Sequence, residues 1–445
     1  MGRFYHARPG TLARPEGAGY YRPMDALQER AIRFLRWSEQ YTKTDMVYLA
    51  SGGLWSVLGQ VSASVIALGL AMLMARFVPK DAYGSYKYVL ATISILASFS
   101  LTGVGTAVFQ SIAHGYRSAL DDGFKANLRW SGLVFLGALL GGVYYLFHGN
   151  TTVGIGILFG GCATPFLSSY NLYLSLLMGE KDFKASAWYG DFVTNIIPAL
   201  VLGLVAYFAP QPLYLVLAYF AANTAATAYA YYRSKQTYPD TEKKHDPGML
   251  TYGKHLSAMG ILGGIASNID QVLLFHFVGP IDLAIYNFAI AIPDQLKGPV
   301  KMLDSMLQAG FAVRSDGEIR ASMYIKMIWL FISGALIVVT YILLAPFVFY
   351  VLFPKYLDAV LYSQIYVLSW LAIGLTPSSS FLTIKKKVKG LYISTMLGNT
   401  FKIVVMVIGV LYGGLMGLII SRVVARIFGA IVNYMLFSVT ALREN

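Results

Sequence analysis

Six polar side chains lie on one face of a long apolar stretch, and four of them are charged. They are Asn287, Asp294, Lys297, Lys301, Asp304 and Gln308. Their spacings of 7, 3, 4, 3 and 4 residues keep all six within a stripe of about 100° on a helix. This pattern predicts either a polar cavity that the helix faces or a zipper of ion pairs within the helix. Pro293 and Pro299 loosen the same helix and favour the cavity.

The apolar stretch before it carries groups that could titrate or bind a cation. The candidates in it are Asn268, Asp270, Gln271, His255 and His276. Asp270 is the candidate carboxylate for ion coupling, and pairing with Lys297 or Lys301 is the alternative. His276 and His255 could relay protons, or could make ordinary hydrogen bonds between helices. No catalytic group and no metal site is expected.

Further polar residues interrupt the apolar stretches elsewhere. In the first half of the chain they are Gln60, Arg76, Lys87, Gln110, Asp191 and Asn195. Arg76 and Lys87 could instead snorkel to the outer interface. Near the C-terminus they are Lys402, Arg422, Arg426 and Asn433. This last group could bind phosphate or anchor lipid headgroups.

The composition indicates a membrane protein. Of 445 residues, 56% are hydrophobic and 13% are charged, and the mean hydropathy is +0.57; soluble domains carry about 25% charged residues. The net charge of +13 lies in short clusters between apolar stretches, so we expect no nucleic-acid partner. The single cysteine, Cys162, excludes a disulfide framework, and no cofactor is expected.

Twelve stretches are long enough to cross a bilayer as helices. We place them at residues 46–77, 84–112, 127–147, 152–178, 187–208, 212–232, 250–278, 284–312, 323–345, 358–378, 391–412 and 415–438. The predicted fold is an all-α integral membrane protein with two six-helix lobes around a central cavity. The N-lobe covers 46–232 and the C-lobe 250–438, with a cytoplasmic linker at 233–249 and a tail at 439–445.

Lysine and arginine collect in alternate loops, which predicts that both termini are cytoplasmic. Lys80 and Lys355 are the two exceptions to this rule. Residues 1–45 are predicted to form a cytoplasmic segment, and within it Asp25–Trp37 has the pattern of an amphipathic helix on an anionic membrane surface or of a solvated lead-in helix.

The two halves carry a repeated turn. The segment ARFVPKDAYGSY at residues 75–86 is similar to HFVGPIDLAIYN at residues 276–287, and Phe77, Val78 and Tyr86 recur 200 positions later. Pro79 and Pro280 break the helix one position apart in this alignment. Six spans per half in the same orientation indicate a parallel internal repeat, with a site between the halves.

Two segments resemble the polysaccharide flippase branch of the multidrug/oligosaccharidyl-lipid/polysaccharide exporter superfamily. They are GGLWSVLGQVSASVIALGLAMLMARFVPKDAYGSYKYVLATISILASF near the start and FPKYLDAVLYSQIYVLSWLA at residues 353–372. The resemblance implies alternating access of two lobes around a cationic cavity for an undecaprenyl-linked oligosaccharide. It also implies membrane lipids as neighbours and exchange driven by H⁺ or Na⁺. Lys297, Lys301, Arg76 and Lys87 are the nearest counterparts of the cavity cations.

The resemblance leaves other functions open. An ion-coupled antiporter for drugs or small cations would use Asp270 and Asp294. A saccharide polymerase or glycosyltransferase is a further alternative, but the external turns are short and no sugar-nucleotide domain is evident. The chain also has no phosphate-binding loop of the G-x-x-x-x-G-K-[ST] type.

Overall fold

The computed structural model describes residues 46–241, 243–295, 316–384 and 388–442. Within these ranges, nine helical stretches are long and apolar enough to cross a membrane. One of them, Tyr392–Val439, contains two helices that meet at Gly414. The helices that begin at Lys80 and Pro280 lie where the sequence predicts the second and eighth spans, and we number the helices accordingly as spans 1 to 12.

Spans 1 to 6 form the N-terminal half. Their helices are Met46–Phe77 for span 1, Lys80–Ala97 and Val104–Ala113 for span 2, Ala119–Trp130 and Gly132–Phe147 for span 3, Thr151–Tyr170 and Tyr173–Gly179 for span 4, Phe183–Ala185 and Thr194–Phe208 for span 5, and Pro212–Thr237 for span 6. The two helices of span 5 are joined by a π-helical segment, Ser186–Val193. Such insertions are rare and often lie at functional sites.

Spans 7 to 12 form the C-terminal half. They are Met249–Phe277 for span 7, Pro280–Gln295 for the described part of span 8, Asp316–Leu352 for span 9, Ala359–Val367 with Thr376–Ile384 for span 10, and Val388–Leu442 for spans 11 and 12. A 3₁₀ segment, Leu368–Leu375, joins the two helices of span 10. Gly414 has φ 52° and ψ −135°, a conformation that glycine adopts without a side-chain clash and that divides the last helix in two.

These helices confirm the predicted all-α membrane fold. The described spans lie close to the predicted segments, and the differences are mainly extensions into the adjoining loops, as at Lys80 and Ala119. The predicted amphipathic helix at Asp25–Trp37 lies outside the described residues. The lobe and linker boundaries that we drew from the sequence remain predictions.

The repeated turn occupies equivalent places in the two halves. Span 1 ends at Phe77 and span 7 ends at Phe277, and a new helix begins within three residues of each. Pro79 precedes the helix of span 2, whereas Pro280 is the first residue of span 8. Since proline fixes its own φ and lacks an N–H, it suits the start of a helix.

The two halves pack against each other along span 2. This span contacts spans 7 and 8, and a continuous buried apolar cluster includes Tyr83 and Tyr86 from one half with Tyr286 and Phe288 from the other. The rings of Tyr83 and Phe288 are 4.9 Å apart, within the usual range for aromatic pairs. Close packing of aromatic side chains therefore joins the halves in this state.

Gly84 allows the closest backbone approach in this contact. A Cβ atom at this position would overlap the carbonyl group of Pro280 in span 8. We therefore expect Gly84→Ala to push spans 2 and 8 apart and to lower the free energy of unfolding by about 1–3 kcal/mol. Thermal unfolding of the detergent-purified protein measures this. Gly69→Ala is the matched control, because a Cβ there meets no atom within 4 Å; equal stability of both variants would contradict the close contact.

The segment between spans 6 and 7 is attached to the N-terminal half. The Tyr238 hydroxyl donates to Asp182 at 2.8 Å, His245 Nδ1 lies 2.6 Å from Asp122, and Ser111 donates to Asp246 at 2.6 Å. The hydrogen bond from Ser111, followed by that from the Gly248 amide, lowers the pKa of the Asp246 carboxyl below its usual value. The Asp246 carboxylate therefore remains charged at neutral pH.

Candidate functional site

A buried ion pair joins spans 7 and 12. Arg422 Nη1 is 2.5 Å from Asp270 Oδ2, and the Asp270 side chain is 1% exposed. The hydroxyl of Tyr286 in span 8 donates to the same carboxylate, and the backbone N–H of Gln271 donates to its other oxygen at 3.0 Å. Both oxygens of Asp270 therefore have partners, as a buried carboxylate requires. Among the described residues, the charged partner of Asp270 is Arg422. Lys297 and Lys301, which the sequence offered as alternative partners, lie outside the described residues.

Asp294 extends this network to span 10. The hydroxyl of Tyr366 donates to Asp294 Oδ1 at 2.8 Å, and Arg422 Nη2 lies 3.9 Å from Asp294 Oδ2. The Arg422 guanidinium also lies over two rings, 5.6 Å from the centre of Tyr286 and 5.3 Å from that of Tyr366. The sequence suggested phosphate binding or lipid anchoring for Arg422. In this state Arg422 instead neutralises carboxylates inside the C-terminal half.

Of the predicted cavity cations, Lys87 is the one whose neighbours the structure describes most fully. It lies in span 2, partly buried, with its Nζ 5.6 Å from the centre of the Tyr83 ring. Tyr219 of span 6 is also within electrostatic range. In the part of the chain that the structure describes, no carboxylate is within 4 Å of Lys87. The neighbours of its ammonium group in the described residues are therefore aromatic rings and not an acid. Lys87 lies on span 2, the helix along which the two halves pack against each other.

The other predicted site residues of spans 1, 7 and 8 do not form one cluster with Lys87. Gln60, Arg76 and His276 are exposed. Asn268 donates weakly to Gly264 O at 3.4 Å, and the buried Asn287 donates to Leu283 O at 2.8 Å, both within their own helices. Asp304, Lys297 and Lys301 lie outside the described residues, so their place in a cavity remains a prediction.

Asp191 lies in the π-helical segment of span 5. Its carboxylate faces Gly59 of span 1, where any side chain would collide with it. Asn195 donates to the Asp191 and Gly190 carbonyls at 3.0 and 3.2 Å, so it satisfies backbone groups near the π-helical turn. Among the described residues, no basic side chain pairs with the Asp191 carboxylate.

Two lysine side chains also join the halves at the end that carries the repeated turns. Lys80 Nζ is 2.6 Å from Asp358 Oδ2, and Lys355 Nζ donates to the Arg76 carbonyl at 2.7 Å. Lys80 also lies 5.0 Å from the centre of the Tyr356 ring. The two lysines that broke the charge rule are therefore both used in contacts between the halves.

Sequence reasoning missed the partners of Asp270 and Asp294. Tyr286 and Tyr366 look like ordinary apolar-helix residues, and Arg422 is 152 positions from Asp270. The signal in the sequence was charge balance: Asp270 and Asp294 need counter-charges at the same depth, and span 12 carries Arg422 and Arg426 on one face. No group of three potential metal ligands occurs among the described residues.

The fold is similar to those of solved membrane transporters. An inward-facing multidrug resistance MATE family transporter of the MOP superfamily aligns with a TM-score of 0.66 and 14% identity, covering 86% of this chain and 96% of its own. Lipid II flippase MurJ in an inward closed conformation gives 0.62 and 12%, covering 87% of both chains. A mutant form of the Vibrio cholerae MATE transporter VcmN gives 0.54 and 14%, covering 89% and 97%.

An outward-facing MATE family transporter of the MOP superfamily aligns with a lower TM-score than the inward-facing one. Its score is 0.54 at 15% identity, with 87% of this chain and 96% of that chain covered. No curated protein is significantly similar to the chain in sequence. At these identities the structural likeness establishes the fold, which is that of multi-pass membrane transporters.

A family profile described as "Polysaccharide biosynthesis protein" matches residues 49–294. This region runs from span 1 into span 8, includes both repeated turns and contains Lys87, Asp270 and Asp294. It is more than half of the 445 residues, so this multi-pass membrane protein belongs to the polysaccharide biosynthesis protein family.

Proposed function

We propose that the protein is a flippase that moves a lipid-linked oligosaccharide across the cytoplasmic membrane by alternating access. Membership of the polysaccharide biosynthesis family supports a role in cell-surface polysaccharide synthesis. The fold shared with a lipid II flippase supports a substrate carried on a lipid, and undecaprenyl pyrophosphate is the carrier that we propose. Both termini would be cytoplasmic.

The observation that carries this proposal is the setting of Lys87. A charged side chain inside a membrane protein is costly unless it meets a partner or a polar ligand. Lys87 has aromatic neighbours and no carboxylate within 4 Å among the described residues, so it retains its capacity to bind an anion. Aromatic faces stabilise an ammonium group without neutralising it. We propose that Lys87 binds a phosphate of the lipid carrier when the halves separate.

The remaining cations of the proposed site come from the sequence prediction. Lys297 and Lys301 follow Asp294 along the face of span 8, and we propose that they line the same cavity from the C-terminal half. Arg76 lies in the last turn of span 1 and would face the substrate at its outer exit. With basic side chains on both halves, a pyrophosphate would bind in the cavity between the halves, where it can contact both sets.

Alternating access would proceed by movement of the two halves about this site. The higher similarity to the inward-facing transporter supports an inward-facing state for this structure. In the proposed orientation, Lys80–Asp358 and Lys355–Arg76 lie at the external end and keep it closed. Binding of substrate, or of H⁺ or Na⁺, would shift the population towards the outward-facing state.

Replacing Lys87 by glutamine tests the site. We expect the rate of lipid-linked saccharide flipping in proteoliposomes to fall at least tenfold, because a charge-assisted bond to phosphate is lost. Lys254→Gln is the matched control, since Lys254 also lies over an aromatic ring, 5.4 Å from the centre of Trp130, but is exposed. A Lys87→Gln protein that flips at the normal rate would refute this assignment.

The second candidate function is an antiporter for drugs or other small cations. Asp191 favours it, because this half-buried carboxylate pairs with no basic side chain in the described ranges and could receive a cation or a proton. Asp270, the coupling carboxylate that the sequence suggested, would first have to leave Arg422. Under this alternative, Asp191→Asn would abolish drug transport, whereas a flippase that is not driven by ions would tolerate it.

A further inference from the structure

A polar cavity of about 270 Å³ lies between spans 10 and 12, in the C-terminal half. Its lining includes Arg426, Gly429 and Asn433 from span 12, with Thr376 and Ser379 from span 10. A Cβ built on Gly429 meets no atom within 4 Å, which agrees with open space beside that residue. This volume is below the range of drug-sized pockets and is sufficient for a small polar group.

Arg426 has more hydrogen-bond donors than partners at this cavity. A guanidinium has five N–H donors; that of Arg426 donates to the Ser369 hydroxyl at 3.2 Å, and the Tyr366 hydroxyl is a second hydrogen-bond partner. Tyr366 and Asp294 interact with Arg426 electrostatically, but no carboxylate lies within 4 Å of it among the residues described. The Arg426 guanidinium lies 4.4 Å from the centre of the Trp370 ring.

One further donor group, the amide of Asn433, lines the cavity. Asn433 Oδ1 accepts from the Ser394 hydroxyl at 2.6 Å, so the amide acceptor is used and its NH₂ group remains. Unused donors inside a membrane protein are costly, and a ligand rich in acceptors would satisfy those of Arg426 and Asn433.

We propose that this cavity is a binding site for a phosphate-class anion, centred on Arg426 and Asn433. A guanidinium binds phosphate through paired N–H donors. The Asn433 amide, about two turns further along span 12, would donate a further hydrogen bond to the same anion. Asp294 is the nearby acid that opposes the anion. Lys87 does not line this cavity, so the anion site can be tested independently of the proposed transport site.

Thermal unfolding of the full-length, detergent-purified protein tests the proposal, with inorganic pyrophosphate added at constant ionic strength. We expect pyrophosphate to raise the melting temperature of the wild type and of the Lys87→Gln variant. It should also raise that of Arg233→Gln, the matched control, which loses an exposed guanidinium. Arg426→Gln should weaken binding at least tenfold, and Asp294→Asn should strengthen it. A wild type without a shift, or Arg426→Gln with an unchanged shift, would overturn the site.

A labelling experiment covers the case in which Arg426→Gln fails to fold. In a Cys162→Ser background, Gly429→Cys places a thiol in the cavity, and pyrophosphate should slow its reaction with a maleimide at least threefold. Tyr412→Cys, at a residue that is 89% exposed, should be unaffected. Dioctanoyl phosphatidylglycerol in place of pyrophosphate distinguishes a lipid headgroup from a free anion; protection by neither compound would refute the proposal.

Discussion

Arg422→Gln is expected to lower the free energy of unfolding by about 3–5 kcal/mol, because it leaves a buried carboxylate without its counter-charge. Asp270 is 1% exposed and 2.5 Å from Arg422, so water cannot replace the guanidinium without opening the core. Asp294 would also lose its nearest described arginine contact, at 3.9 Å. Denaturant or thermal unfolding of the purified protein measures the loss, and Arg233→Gln controls for removal of an exposed arginine.

The double variant Asp270→Asn/Arg422→Gln should recover most of this stability. Two neutral amides at these positions can still hydrogen-bond to each other and to Tyr286, and replacing both members of a buried pair costs far less than removing one. A double variant as unstable as Arg422→Gln alone would contradict the account of a paired charge. It would indicate that Arg422 stabilises the core by packing on the Tyr286 and Tyr366 rings.

Cross-linking Lys80→Cys to Asp358→Cys in a Cys162→Ser background is expected to stop transport. The two native side chains form the ion pair between the halves and are 29% and 45% exposed, so a short thiol-cleavable bismaleimide can reach both thiols. If the halves must separate at this end, flipping in proteoliposomes should fall to the background rate. Reductive cleavage of the linker should then restore flipping.

A pair of cysteines at the end of one helix controls for effects of the cross-linking reaction itself. Tyr144→Cys and His148→Cys lie one turn apart in span 3, and cross-linking them should leave flipping unchanged because both belong to the N-terminal half. Normal flipping by the Lys80–Asp358 cross-linked protein would mean that the halves do not separate at this end during transport.

Hydropathy alone predicted the spans because each needs about 20 apolar residues, whatever its neighbours are. It could not predict the broken helices, such as the π-helical segment of span 5 or the 3₁₀ segment of span 10, which depend on tertiary packing. The turns after Phe77 and Phe277 were predictable because a proline begins or precedes the next helix in each.

The candidate site was only partly predictable for a similar reason. Charge at membrane depth identified Asp270, Asp294, Lys87 and Arg422 from sequence. Which of these pair depends on how spans 7, 8, 10 and 12 meet, and one sequence carries no record of contacts across 152 residues. Lys80 and Lys355 appeared as exceptions to the charge rule until the contacts between the halves explained both.

The most direct test of the proposed function is a translocation assay with the purified wild-type protein in proteoliposomes. A set of isoprenoid pyrophosphate-linked saccharides and a set of cationic drugs are supplied separately to the same preparation. The proposal predicts protein-dependent flipping of at least one lipid-linked saccharide and no transport of the drugs. Drug transport without saccharide flipping would contradict it and would favour the cation antiporter.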